Sequence, residues 1–313
     1  MKIYDGFLFD NEFELLELRL QEHWDYVDKF ILVECAVNHR DQPKPLLYAE
    51  NRSRFAPWAD KIQHIVMPYL AERSHYEPGK RGSGSGQDQQ RNMIAWGLYD
   101  ANPDDVLLIC DVDEIWRKSA LKYIKENPQH AIYAPKQMMA HFKMNFICKT
   151  HTDTDLCHGY MSWSKGIKIQ TLKDNFFSDP TMVKASSEFS TVNQIGPRSD
   201  WLGIIQHGGW HFSWWGDKSD HIRKLEYYGH QDHDTIEMRR LISEDRLIPM
   251  KLAQEPLPQI GNIFPDHEWA ICEVDDYFPE TITNNMTKYR RHILPNPSCK
   301  ATDILPNLPI GRT

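Results

Sequence analysis

Four apolar runs in the first third of the chain, Ile3 to Phe9, Lys29 to Glu34, Lys61 to Met67 and Val106 to Cys110, constrain the fold more than any other feature. Each is short, rich in branched and aromatic residues, and bounded by polar segments, which is the pattern of buried strands. Between them lie stretches of helical period. Glu12 to Trp24 carries Phe13, Leu16, Leu20 and Trp24 on one stripe, and further helices are expected at Ala49 to Phe55 and Asp88 to Asp100. Strand and helix in alternation imply an α/β fold with a mainly parallel sheet flanked by helices. Ligands of such sheets collect beyond the carboxyl ends of the strands, where Glu34 and Asp111 stand.

The fourth run ends in Asp111-Val112-Asp113-Glu114. Two carboxylates at i and i+2 on a buried strand end, with no base between them, are costly unless a cation binds there. Oxygen ligands favour a hard ion, Mg²⁺ or Mn²⁺, of the kind usually shared with substrate phosphates. The competing reading is a solvated acidic turn or a cap for a helix starting near Lys118. In the helix expected after residue 87, Gln90, Arg91 and Asn92 fall in the first turn, where an anion is favoured.

Composition narrows the class of partner. A net charge of -8 leaves no electrostatic footprint for nucleic acid. No apolar run approaches the roughly 20 residues of a membrane span, and Met1-Lys2-Ile3-Tyr4 enters a strand at once, so a soluble, cytoplasmic protein is expected. Six scattered cysteines read as free thiols. Cys148, His151, Cys157 and His158 do not have the spacing of a common zinc site. The ten tryptophans include Trp201, Trp210, Trp214 and Trp215 close together. Indoles stack on the apolar faces of sugar rings, so Trp163, Trp214 and Trp215 are candidates for an acceptor platform, against the plainer reading that they are core.

Ala71 to Gln87 holds a Gly/Ser run that reads as a mobile loop over the site or as a plain surface loop. Beyond Asp113 the pattern shortens. Strands are expected at Ala131 to Pro135, Met138 to Cys148, Tyr160 to Ile169 and Gly209 to Trp215, then helices at Asp217 to Tyr228 and Thr235 to Ile242. The expected organisation is a catalytic domain over residues 1–250 with a Pro-rich extension, 251–313, packed on it.

Taken in order, Ile3-Tyr4-Asp5-Gly6-Phe7-Leu8-Phe9-Asp10-Asn11-Glu12, Leu15 to Leu20, Phe30 to Glu34, Pro43-Lys44-Pro45-Leu46, Gln90-Arg91-Asn92, Asp111 to Ile115 and Gly209 to Trp214 resemble glycosyltransferase family 17. Its familiar members are the β-1,4-mannosyl-glycoprotein β-1,4-N-acetylglucosaminyltransferases. The resemblance implies a GT-A type fold, a divalent ion on an Asp-X-Asp element, a UDP-sugar donor such as UDP-N-acetylglucosamine, a glycan acceptor and inversion at the anomeric carbon. By the same resemblance Asp111, Asp113 and a late histidine, His211, are the expected metal ligands. Glu34, Arg91, Asn92 and Asp111 are the expected donor contacts, and Asp217 or Asp232 supplies the base. A metal-dependent phosphohydrolase or nucleotidyltransferase would also use paired aspartates, and a non-catalytic carbohydrate-binding module would account for the tryptophans alone.

Overall fold

The computed structural model describes residues 1–38, 42–70, 86–149, 160–161, 164–185, 202–227, 234–255 and 268–305. In chain order the first elements are β1 (Ile3–Phe9), α1 (Phe13–His23), β2 (Lys29–Cys35), α2 (Leu47–Glu50), β3 (Ile62–Met67) and α3 (Gly86–Asn92). Then come β4 (Val106–Asp111), β5 (Glu114–Trp116), α4 (Lys118–Glu126), β6 (Ile132–His141), β7 (Phe146–Cys148), β8 (Tyr160–Met161), β9 (Lys165–Lys168), α5 (Ile169–Phe176) and α6 (Pro180–Ala185). The chain continues through β10 (Leu202–Ser213), α7 (Lys218–Tyr227), α8 (Ile236–Ser243), α9 (Leu247–Leu252), β11 (Trp269–Glu273) and β12 (Cys299–Lys300).

Two compact units are present, the first built from residues 1–135 and 162–209, the second from 136–161 and 210–309. The expected boundary near residue 250 is not a division between them. In the first unit the strand order β3-β2-β1-β4 is parallel, with Tyr4 opposite Lys29 and Leu8 opposite Asp111. Beyond β4 the sheet turns antiparallel through β9 and the start of β6. Parallel strands are buried on both faces, which is why their sequences are continuously apolar rather than alternating. One face packs Phe7, Phe9, Leu108 and Cys110 against Leu16 and Leu20 of α1 and Leu121 and Ile124 of α4. The other packs Tyr4, Ile31, Leu107 and Ile109 against Ile94, Leu172 and Val183. The expected stripe of α1 therefore faces the core, with Phe13 and Trp24 at its margin.

The sequence reading differs from the structure at several elements. The segment expected as a helix through Asp100 is α helical only to Asn92 and 3₁₀ from Met93 to Leu98. Gly97, whose added Cβ would lie 2.6 Å from Ile31, sits where that tight segment presses on β2. The strand expected at Ala131 to Pro135 and the first part of the one expected at Met138 to Cys148 form one strand, β6, because ladder pairing continues on both sides of Pro135, and the last part of the second is the separate β7. In the second unit the Pro-rich C-terminal region supplies β11, which pairs antiparallel with β7 and parallel with β12.

The tip of β10 explains the glycines of the Gly208-Gly209 pair. A Cβ added at Gly209 would stand 2.1 Å from the carbonyl oxygen of Ile115, and Arg117 donates its backbone N–H to Gly208 at 2.8 Å. β10 thus lies directly on β5, the strand that follows Asp113. Among the described residues no helix is long and apolar enough to cross a membrane.

Candidate active site

The order of strands reverses between β1 and β4, and in open α/β sheets the crevice outside the carboxyl ends at that point is where ligands bind. Asp111 closes β4 there, Val112 and Asp113 form a two-residue turn, and Glu114 opens β5. The turn is built around the fully buried Glu114, whose Oε2 accepts the Asp111 N–H at 2.8 Å.

Beneath the turn lies a buried charge network. Asp5 in β1 pairs with Arg19 of α1, and His23 Nδ1 stands 2.8 Å from Asp5 Oδ2. All three side chains are fully buried. Arg19 donates from Nη1 to the carbonyls of Asp111 at 3.2 Å and Glu114 at 2.8 Å, while Trp116 N–H donates to His23 Nε2 at 3.0 Å. One face of α1 therefore grips the main chain on both sides of the acidic turn. Burial raises the Asp5 carboxyl, but Arg19 and His23 outweigh it and hold the group below its ordinary range.

Asp111 does not stand unneutralised, as the sequence reading supposed. Arg91 Nη2 reaches its Oδ1 at 3.0 Å and Lys184 Nζ its Oδ2 at 2.9 Å, and Lys184 also contacts Glu114 Oε2 at 2.6 Å. The cations arrive from α3 and α6, distant in sequence, so local inspection of the motif does not reveal them. Burial raises the Asp111 carboxyl, and Lys184 and Arg91 more than reverse this, leaving it far below the usual carboxylate range. Asn92 holds α3 and α6 together. Its Oδ1 accepts the Thr181 N–H at 3.1 Å, and Thr181 Oγ1 donates to the Asp88 carbonyl at 3.1 Å.

The donor set at the turn is all oxygen and fits a hard divalent ion. Asp113 is 9% exposed, and Glu114 Oε1 is buried with no hydrogen-bond partner among the described residues, an arrangement that normally marks a site with a further occupant. Among the described residues no three His, Cys, Asp or Glu side chains converge as a metal cage. The fitting mode is the one usual for Mg²⁺, with one or two carboxylates and the remaining positions filled by substrate phosphate and water. Cys110, immediately before Asp111, is pushed by burial up to about 12 and stays a neutral thiol at ordinary pH.

The other expected site residues fall as follows. Glu34 ends β2 fully buried, accepting the Tyr48 N–H at 2.9 Å and facing His64 Nε2 at 3.0 Å, so both of its oxygens have partners inside the fold. His211, Trp214, Trp215 and Asp217 belong to the second unit. There His211 is buried in β10, and the Trp214 carbonyl accepts from His221 Nε2 at 2.8 Å. Trp215 packs on His292 with ring centroids 4.3 Å apart. Asp217 caps α7, its Oδ1 accepting the Ser219 N–H at 3.0 Å and the Ser219 hydroxyl at 2.7 Å, and these bonds lower its carboxyl. Trp163, Trp201, His230, Asp232, Glu188 and Asp200 lie outside the described residues, as does nearly all of the Gly/Ser segment, residues 71–85. Five cysteines are free thiols, and Cys272 and Cys299 lie 3.5 Å apart across β11 and β12.

Three residues that matter here, Asp5, Arg19 and Lys184, were not singled out by the sequence. Asp5 and Arg19 did leave a signal, an acid inside an apolar strand and a base inside an apolar helix face, which in a buried setting call for each other. Lys184 left none.

A parallel α/β core flanked by helices, with an acidic, oxygen-donor turn at its topological switch point, defines an α/β class of fold in which ligands bind at that edge. Within that class the chain belongs to glycosyltransferase family 17, whose profile matches residues 1–165. It is 28% identical over 129 residues to the β-1,4-mannosyl-glycoprotein 4-β-N-acetylglucosaminyltransferase of Rattus norvegicus, covering 40% of this chain and 23% of that protein. The Homo sapiens enzyme of the same name is also 28% identical over 129 residues, covering 40% of this chain and 24% of its own length. The matched region thus spans about a quarter of those relatives. Among solved structures, a Pyrobaculum calidifontis mannosyltransferase in complex with GDP-Man and Mn²⁺ overlaps with a TM-score of 0.33 at 14% identity, over 58% of this chain and 51% of that one. A Francisella tularensis 2-C-methyl-D-erythritol 4-phosphate cytidylyltransferase overlaps with a TM-score of 0.39 at 10% identity, over 66% of this chain and 90% of that one.

Proposed function

We propose that the protein is an inverting glycosyltransferase that moves a sugar, N-acetylglucosamine in the first instance, from a UDP-sugar to a glycan hydroxyl. The observation that carries the reading is the acidic turn at the switch point, held from below by Arg19 and flanked by Arg91, in a chain of family 17. The activity in the relatives' name, transfer of N-acetylglucosamine to a mannosyl glycoprotein, extends to this chain as part of the proposal.

In the reaction the acceptor oxygen attacks the anomeric carbon, the bond from that carbon to the diphosphate oxygen breaks, and UDP departs with the electron pair. A divalent ion, Mn²⁺ or Mg²⁺, supplies Lewis-acid stabilisation to the diphosphate when bound at the Asp111–Asp113 edge. Asp111 already shares its charge with Arg91 and Lys184, so it meets the ion as a carboxylate partly neutralised by the protein. Arg91 serves the diphosphate with its fixed guanidinium donors, and Asn92 and Glu34 keep the surrounding elements in place. The acceptor proton passes to a carboxylate, for which Asp217 and Asp232 are the proposed groups. The capping bonds of Asp217 favour its charged form and so weaken it as a base. Trp215 remains a proposed acceptor contact, whereas Trp214 is buried inside the second unit.

Calorimetric titration of the full chain with UDP, with and without Mn²⁺, tests the reading. Binding of UDP at least about tenfold tighter with Mn²⁺ is expected, a difference of ~1.4 kcal/mol. Equal affinity in the two titrations defeats the metal-dependent donor site, and sugar binding with no nucleotide binding favours the carbohydrate module.

A further inference from the structure

We propose that Lys184 is a donor-diphosphate ligand, exchanging Asp111 for a phosphate oxygen while Glu114 keeps it in place. The inference rests on the glycosyltransferase reading and adds a residue outside the matched residues 1–165. Lys184 projects from α6 with its side chain 10% exposed, and its ammonium lies between two carboxylates, 2.9 Å from Asp111 Oδ2 and 2.6 Å from Glu114 Oε2. A cation bridging two anions can release one without losing its anchor. Asp111 is the one to release, because its side chain is 28% exposed at the crevice and it retains Arg91, whereas Glu114 is fully buried.

Two further atoms point to an occupant beside this network. Arg91 Nε and Glu114 Oε1 are buried without hydrogen-bond partners among the described residues, a donor and an acceptor on the two side chains that frame Asp111. A phosphate oxygen accepts from the first, and a cation or water serves the second. A divalent ion held at the same turn would compete with Lys184 for Asp111. A diphosphate bound there would offer the Lys184 ammonium a replacement anion, on which charge accumulates as the glycosidic bond breaks. Lys184 is thereby a leaving-group residue as well as a binding one.

The test compares Lys184→Met with the wild type in three titrations of the full chain, using Mn²⁺ alone, UDP with Mn²⁺ and UMP with Mn²⁺. The variant is expected to lose about tenfold or more in UDP affinity, as removal of a charge-assisted bond does, with UMP affinity within about threefold of wild type. Mn²⁺ alone should bind the variant at least as tightly, since the competitor for Asp111 is gone. Unchanged UDP affinity, or equal losses for UDP and UMP, overturns the proposal. A wild type that binds neither nucleotide removes the transferase reading itself. Should the methionine variant not fold, acetylation of Lys184 in the wild type decides: protection by UDP with Mn²⁺ beyond that given by UMP is expected, and equal labelling refutes the exchange.

Discussion

Replacing Arg19 by Met should lower the unfolding free energy by about 3–5 kcal/mol, the usual cost of leaving one member of a fully buried ion pair without its partner. Asp5 and Arg19 have no exposure, so water cannot solvate the Asp5 carboxylate once the guanidinium is gone. Among the described residues His23 is left to face the remaining charge. The same change removes the donors that hold the carbonyls of Asp111 and Glu114, so nucleotide binding should weaken together with stability. Urea unfolding measures the first effect, and a loss below about 1 kcal/mol would show that the network contributes little. Acid gives an independent view. The Asp5 carboxyl is held below its ordinary value of 3.8, so its contribution is complete above that value and is lost as the pH falls below it toward the folded-state pKa. In Asp5→Asn this part of the acid sensitivity should be absent.

The second large effect concerns Asp113. Its change to Asn should lower kcat by about a hundredfold to a thousandfold, because loss of a Lewis-acid site forfeits several kcal/mol of transition-state stabilisation and each ~1.4 kcal/mol is tenfold. Asp111→Asn should lose activity and also about 1–3 kcal/mol of stability, since Arg91 and Lys184 would then face an amide in place of a carboxylate. Transfer assays and thermal unfolding of both variants separate the roles. An Asp113→Asn enzyme with more than a third of wild-type activity would move the metal elsewhere.

The Gly208-Gly209 pair connects the late motif to the same turn. Gly209→Ala forces its Cβ onto the Ile115 carbonyl, a backbone atom that moves only with β5. A loss of several degrees in melting temperature is expected, of the order produced by overpacking, about 1–3 kcal/mol. An unchanged transition would mean that β10 can lift off β5 without cost.

The amino-acid sequence alone determined the parallel core. Ile3 to Phe9 and Lys29 to Glu34 became β1 and β2 almost residue for residue, because a strand buried on both faces needs an unbroken apolar run and such a run is visible without partners. It also determined that Asp111 and Asp113 stand at a strand end facing the ligand edge, since strand direction and the end of the apolar run are local properties. Only the tertiary structure decided what those carboxylates meet. Arg91 and Lys184 reach Asp111 from helices 20 and 73 residues away, and Arg19 reaches it from 92 residues before. Charge pairing depends on distance in space, and nothing periodic in a sequence encodes which of its 36 basic residues will close on a given acid. For the same reason Asp217, acidic and well placed in the sequence, proved to be occupied as the cap of α7, a role set by the conformation of the turn before that helix.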